Sequence, residues 1–298
     1  MTRESFPILN LIWFLTGSFW SASEVGSETD LNRLSDSRDN FDRRVAVELR
    51  GERPRLSKEA AIALAHALED SAVAVRRAAA SELLRTSGRE KITVPALAGA
   101  LDDLDSPVRI LSLRALHRKG PLAKKALPKM TRLLKDSDHR IRTLAAKAIG
   151  GLSCYGAPAV TALTKATGDS SEEVKIECIQ SLGNIGPRAA GSIRALIARL
   201  EDSSPAVRLA SAESLGAIEA MPELSVPALI GILKDSDENV RVAGALSLGQ
   251  FRRHAKRAIP NLEESTRDES PLVRAAVLNA IRCIRRCPLL GFWRKRSP

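Results

Sequence analysis

A step of 33 residues runs through this chain and constrains its fold more than any other feature. The stretch Leu233–Gly249, LKDSDENVRVAGALSLG, is answered three steps earlier by Leu134–Gly150, LKDSDHRIRTLAAKAIG. Moving by the same step from Val240-Arg241 gives Val75-Arg76, Val108-Arg109, Ile141-Arg142, Val174-Lys175, Val207-Arg208 and Val273-Arg274. Five residues before each β-branched position stands an aspartate: Asp70, Asp103, Asp136, Asp169, Asp202, Asp235 and Asp268. Eight residues after it stands Leu83, Leu116, Ile149, Leu182, Leu215, Leu248 or Ile281. A fourth column runs through Leu64, Leu97, Met130, Leu163, Leu196, Leu229 and Leu262. Four columns held in register without an insertion mark a tandem array.

Within one step the apolar spacing is helical. Val240, Ala243, Gly244, Ser247 and Leu248 form one stripe, and Val226, Leu229, Ile230 and Leu233 form another. Each unit therefore reads as two helices joined by a tight turn around Asp-Ser. Pro95, Pro128, Pro227 and Pro260 are expected in the first turn of the first helix, where a missing N–H costs nothing. Gly150, Gly183, Gly216 and Gly249 are expected as C-terminal stops of the second helix, and Gly120-Pro121 and Gly186-Pro187 as junctions.

The predicted fold is all-α: an α-solenoid of seven 33-residue helix-turn-helix repeats from about residue 57 to residue 287. A degenerate partial repeat, residues 41–54, precedes it, with Phe41, Val45, Ala46 and Leu49 imitating a second helix. Aromatic residues make up only 3% of the chain, so the core must come from close contacts between helices rich in Ala, Leu, Val and Ile.

The Asp-Ser-x-x-x-Val-Arg turn, the Ala-rich second helix and the Leu-Gly ending resemble the short HEAT-like repeats associated with phycobilisome lyases. The resemblance implies a superhelix whose concave face is lined by the second helices. It also implies, as one functional alternative, a bilin lyase or isomerase subunit. The ankyrin period is the same, but the Thr-Pro-Leu-His signature does not occur.

The aspartate column and the basic column (Arg76, Arg109, Arg142, Lys175, Arg208, Arg241, Arg274) read as a structural ladder. An Asp before a helix accepts backbone N–H bonds, and an Arg one turn into that helix can reach the acidic turn of a neighbouring unit. Repetition in every unit fits a structural duty, because a catalytic centre needs one copy.

The histidines, His66, His117, His139 and His254, fall at unrelated places in their units and form no His-Glu motif. The chain is similar to the di-iron deoxyhypusine hydroxylases in repeat architecture only, since that family holds metal through His-Glu pairs. Cys178 occupies a buried column, Cys283 and Cys287 are four apart on one helix, and Cys154 is the thiol expected at the surface. No catalytic residue, metal, cofactor or small-molecule substrate is expected.

Charge is patterned. The chain carries a net +11, and from Arg109 to Lys147 twelve basic residues stand against Asp136 and Asp138. Exposed positions of the second helices are expected at Ser81, Arg114, Lys147, Gln180, Glu213 and Asn279, with Arg85, Arg118, Asn184 and Gln250 alongside. Arg114, Arg118, Lys147, Gln180 and Asn184 are the expected contacts for a protein partner with anionic patches, which makes the chain a non-enzymatic scaffold. A nucleic-acid partner, as in the HEAT-like DNA glycosylases, is the weaker reading: Trp13, Trp20 and Trp293 all lie outside the array.

Residues 1–23, a basic start, an apolar run over residues 6–20 and small residues at the exit, read as a signal peptide or membrane anchor. Residues 24–40 read as a polar linker, and residues 288–298 as a basic tail bearing Phe292 and Trp293. The expectation is an exported or membrane-associated protein touching the bilayer through residues 6–20 and the tail. It would be cytoplasmic if the first segment is no signal.

Overall fold

The computed structural model describes Arg43, Val47 and residues 56–285. The apolar N-terminal segment, the linker, most of the partial repeat and the tail lie outside the described residues. Among the described residues there is no β-strand, and the α-helices fall into pairs. They are α1 (Lys58–Ala67) with α2 (Val73–Arg85), α3 (Glu90–Gly99) with α4 (Ser106–Lys119), and α5 (Leu127–Leu133) with α6 (His139–Gly150). Next come α7 (Val160–Ala166) with α8 (Glu172–Ile185), and α9 (Ile193–Arg199) with α10 (Pro205–Ile218). The last are α11 (Pro222–Gly231) with α12 (Glu238–Gln250), and α13 (Ile259–Ser265) with α14 (Pro271–Arg285). The architecture is the expected α-solenoid of repeated helices.

The chain divides into two compact units, residues 1–115 and 116–298. In the first, α1 packs on α2 and on α3. In the second, each first helix packs on its own second helix, and the most extensive contacts join successive second helices: α6 to α8, α8 to α10, α10 to α12 and α12 to α14. The sequence columns supply both cores. Val207, Val240, Leu196, Leu229, Leu262, Leu215 and Leu248 are fully buried, as are Leu64 and Leu97 in the first unit. Each such side chain contributes about 1.5–3 kcal/mol relative to an exposed one.

The turn inside each pair has a different division of labour from the one expected. Asp136, Asp169, Asp202, Asp235 and Asp268 accept the N–H of the residue two positions on, a side-chain-mimicked turn. The helix cap itself falls to that later residue. Asp138, Ser204 and Asp237 accept first-turn N–H groups of α6, α10 and α12.

Two other expectations are corrected. Pro128 and Pro260 do open α5 and α13, but Pro95 and Pro227 lie inside α3 and α11. In those two repeats the chain is already α-helical from Glu90 and Pro222, where α5, α7, α9 and α13 are preceded by 3₁₀ segments. The glycines of the Leu-Gly ending divide. Gly150 closes α6 as expected and Gly249 stands one residue before the end of α12, whereas Gly183 and Gly216 sit two residues inside α8 and α10, which run on to Ile185 and Ile218.

The true reversal comes later, at the junctions that Gly120-Pro121 and Gly186-Pro187 marked in the sequence, and it extends to positions without glycine. Gly120, Ser153, Gly186, Glu219 and Arg252, one step of 33 apart, all have φ between 48° and 71°. Left-handed backbone costs a non-glycine residue about 1 kcal/mol. Replacing exposed Arg252 with glycine is therefore expected to raise stability by about 0.5–1 kcal/mol. Gly186→Ala is expected to lower it by about 1–3 kcal/mol, because φ 71° with ψ −144° is a region open essentially to glycine. Urea midpoints of the two variants check the sign of each.

Candidate binding surface

Within each unit the basic column ties one repeat to the next. In the first unit Arg43 Nε and Nη2 donate to Asp70 at 2.6 and 2.9 Å, and Arg76 grips Asp103 at 2.6 and 3.1 Å. In the second, Arg142 grips Asp169 at 2.8 and 2.8 Å, Arg208 grips Asp235 at 2.8 and 2.8 Å, and Arg241 grips Asp268 at 2.9 and 3.0 Å. The third guanidinium nitrogen clamps the residue's own turn. Arg142 Nη1 donates to the carbonyls of Asp136 and Ser137, Arg208 to those of Asp202 and Ser203, and Arg241 to those of Asp235 and Ser236. Arg109 holds the carbonyls of Asp103 and Leu104 in the same way, and Arg274 those of Asp268 and Glu269.

Arg43 is a ladder member that the sequence columns missed. It stands one step before Arg76, but Asp42 precedes it where the other repeats carry Val or Ile. The signal that could have found it was the 27-residue Arg-to-Asp offset itself.

The guanidinium of Arg208 holds the Asp235 carboxyl below its ordinary range, and Arg241 does the same to Asp268. Burial pushes Asp169 and Asp202 up. For Asp169 the side-chain bond to Arg142 and the Ser171 N–H outweigh it; for Asp202 the Ser204 N–H and Lys175 do.

Lys175 is the weak rung. Its single ammonium reaches Asp202 at 3.0 Å, and it makes no bond to its own turn. Lys175→Arg supplies the planar fork the other rungs use. It is expected to raise the unfolding free energy by about 1 kcal/mol, read as a higher melting temperature.

Small residues set the spacing of the second helices. A Cβ added at Gly150 would lie 2.6 Å from Ser181 Oγ and 3.0 Å from its Cα. One at Gly183 would lie 2.8 Å from Ser214 Oγ, and one at Gly216 2.7 Å from Ser247 Oγ. Those three serines are buried, and each hydroxyl donates back to the preceding second helix: Ser181 to Ala146 O at 2.8 Å, Ser214 to Ile179 O at 2.9 Å, Ser247 to Ala212 O at 2.8 Å. The notches bring backbone to backbone, so the faces of α6, α8, α10, α12 and α14 form one continuous surface in the second unit.

On that surface Lys147, Gln180, Glu213, Leu246 and Asn279 occupy one exposed column, and Asn184, Gln250 and Cys283 another, in whose register exposed Arg118 stands at the end of α4. Arg114, the fifth expected contact residue, is exposed on α4 in the first unit. Beside the exposed column runs a half-buried one, Thr143, Ile176, Leu209 and Val242. The surface thus offers a basic end at Arg118 and Lys147, a polar middle, and an apolar edge. Burial pushes the Glu177 carboxyl up, partly offset by Lys147. Burial pushes the His117 imidazole down, and Lys147 adds to the effect.

Sequence reasoning missed two members. Leu246 is 41% exposed, and Cys283 is an exposed free thiol like Cys154. Each lies one step of 33 beyond a polar residue of its column, Glu213 and Gln250, and could have been found that way. Cys178 is buried, and burial pushes its thiol up to about 12, which leaves it unreactive. The fold also brings His139 Nδ1 within 3.7 Å of Glu173 Oε2, a single exposed contact between neighbouring repeats. No cluster of three or more His, Cys, Asp or Glu suited to a metal ion occurs among the described residues.

This stack of helix pairs, ruled by a repeating Arg–Asp rung, defines an α-solenoid of the HEAT and armadillo class. A family model for HEAT repeats matches residues 93–182, 159–224 and 193–282, and the chain belongs to the HEAT-repeat family. The match is to HEAT repeats in general and does not reach the phycobilisome-lyase subtype.

No curated protein matches the chain. Among solved structures, an engineered protein aligns with a TM-score of 0.61 at 20% identity, covering 86% of this chain and 78% of that one. Armadillo repeat proteins designed for modular peptide recognition align at 0.51 and 19% identity, over 64% of this chain and 99% of theirs. Importin beta aligns at 0.54 and 16% identity, over 86% of this chain and 38% of its own length. These likenesses are in fold.

Proposed function

We propose that this chain is a non-enzymatic scaffold that holds an extended stretch of a partner protein along the second-helix face of residues 116–285. One contrast carries the reading. The positions that repeat are those that hold the stack: the aspartates, the arginines, the notch glycines and the buried aliphatics. The positions that change from repeat to repeat are those the stack does not use: Lys147, Gln180, Glu213, Leu246 and Asn279. A rigid ruler with a different side chain at each mark can read a partner one segment at a time. The basic end at Arg118 and Lys147 favours an acidic segment there, and the edge at Ile176, Leu209 and Val242 offers apolar anchoring. The structural likeness to designed proteins that recognise peptides supports the same reading.

A photo-crosslinking residue placed at Gln180 is expected to capture the partner, whereas the same residue at exposed Lys165, on first helix α7, is not. Lys147→Glu should weaken the captured complex several-fold at unchanged melting temperature. Equal capture from both sites, or wild-type affinity of the Lys147 variant, would remove the reading.

A further inference from the structure

The helix pairs of the second unit have two unlike edges. At one lie the Asp turns, whose carboxylates are taken up by the arginine ladder. At the other lie the junctions, and the 3₁₀ segments Gly120–Ala126, Ser153–Ala159 and Gly186–Ser192 pack against one another in sequence there. These three segments contain no carboxylate. They present Lys124, Lys125 and Arg188, all exposed, and neither Lys125 nor Arg188 has an ion-pair partner among the described residues.

Two large apolar side chains stand among these cations: Leu122, 61% exposed, and Tyr155, 47% exposed. Lys124 lies 4.6 Å above the Tyr155 ring. The second helices run from turn to junction over about 18 Å at 1.5 Å per residue, beyond a physiological Debye length. The acidic edge therefore does little to screen the basic one.

From this juxtaposition we infer that the junction edge at Leu122, Lys124, Lys125, Tyr155 and Arg188 is a docking surface for an anionic lipid bilayer. A leucine and a tyrosine projecting between lysines match the chemistry of a membrane interface. The ring enters the headgroup zone with its hydroxyl kept wet, the leucine reaches the acyl boundary, and the ammonium groups meet lipid phosphate and carboxylate. A nucleic-acid backbone would use the lysines and leave Leu122 without a role. No helix of the described residues is long and apolar enough to cross a membrane, so this edge would lie on the bilayer. The inference is independent of the partner-holding face, which uses different residues.

The test is co-sedimentation of the full chain with phosphatidylcholine vesicles with and without phosphatidylserine. The wild type should favour the anionic vesicles and lose binding as salt rises. Lys124→Gln with Lys125→Gln should weaken partitioning about 25-fold, since each surface charge contributes about fivefold. Leu122→Ser with Tyr155→Ser should weaken it about tenfold. Should that pair melt low, Leu122→Gln alone carries the apolar arm.

No preference of the wild type for phosphatidylserine overturns the inference. So does wild-type partitioning of the apolar variant or of the lysine variant, which would place any attachment elsewhere in the chain. Tighter binding to duplex DNA than to vesicles, lost with the lysines and untouched by the apolar pair, would replace it with a general polyanion site.

Discussion

Gly150→Val is expected to lower the unfolding free energy by about 3 kcal/mol, the cost of forcing a branched side chain into a filled contact. A Cβ there meets the Cα of Ser181 at 3.0 Å, so relief requires the backbone of α8 to move away from α6. Moving it breaks the bond from Ser181 Oγ to Ala146 O and leaves a buried hydroxyl without its partner. Gly191→Ala is the control, because nothing lies within 4 Å of a Cβ built at Gly191. It should stay within about 0.5 kcal/mol of wild type. Were these glycines mere helix stops, asparagine at position 150 would be tolerated; here it should cost nearly as much as valine. Urea midpoints of the three variants decide between the two readings.

Asp235→Ala is expected to cost about 3 kcal/mol. It removes both bonds to Arg208 and the acceptor for the Asp237 N–H, and leaves a guanidinium that is 13% exposed without its carboxylate. The same rung sets the pH dependence. Asp70, Asp103, Asp169, Asp202, Asp235 and Asp268 all have carboxyls depressed in the folded chain. The unfolded chain then takes up protons first as pH falls. Their stabilisation is complete above the ordinary carboxylate range and is lost as pH drops through it toward the folded values. Melting temperature should be flat from about pH 6 to pH 8 and fall steeply below about pH 5. The gap between wild type and Asp235→Ala should close over the same interval. A gap that persists in acid would show that Asp235 acts by shape and not by charge.

Most of the architecture was legible because a repeat protein states its rules many times. The four columns name the buried aliphatics and the Asp-Arg rung. The 27-residue offset between Arg208 and Asp235 follows once the helices are counted. The illegible parts have physical reasons. The junction carries glycine at Gly120 and Gly186 but serine, glutamate and arginine at Ser153, Glu219 and Arg252, so composition hides the positive φ these positions share. The notch glycines follow a leucine or isoleucine near the end of a helix, which reads as a stop until the neighbouring serine is seen across the contact. Pro95 and Pro227 occupy the same register as Pro128 and Pro260, yet lie inside longer helices because the chain upstream is already coiled. The candidate surface was legible in its polar members and not in Leu246, since an exposed leucine in a helical stripe reads as core.

The central claim is that two sets of positions in each repeat do separate work, one holding the stack and one meeting the partner. The most direct measurement is paired melting and crosslinking of one variant, Lys147→Ala, Glu213→Ala and Leu246→Ala combined, with the crosslinker at Gln180. Melting within about 2 °C of wild type together with loss of the crosslinked partner is the expected result. A large fall in melting temperature, or undiminished crosslinking, would contradict it.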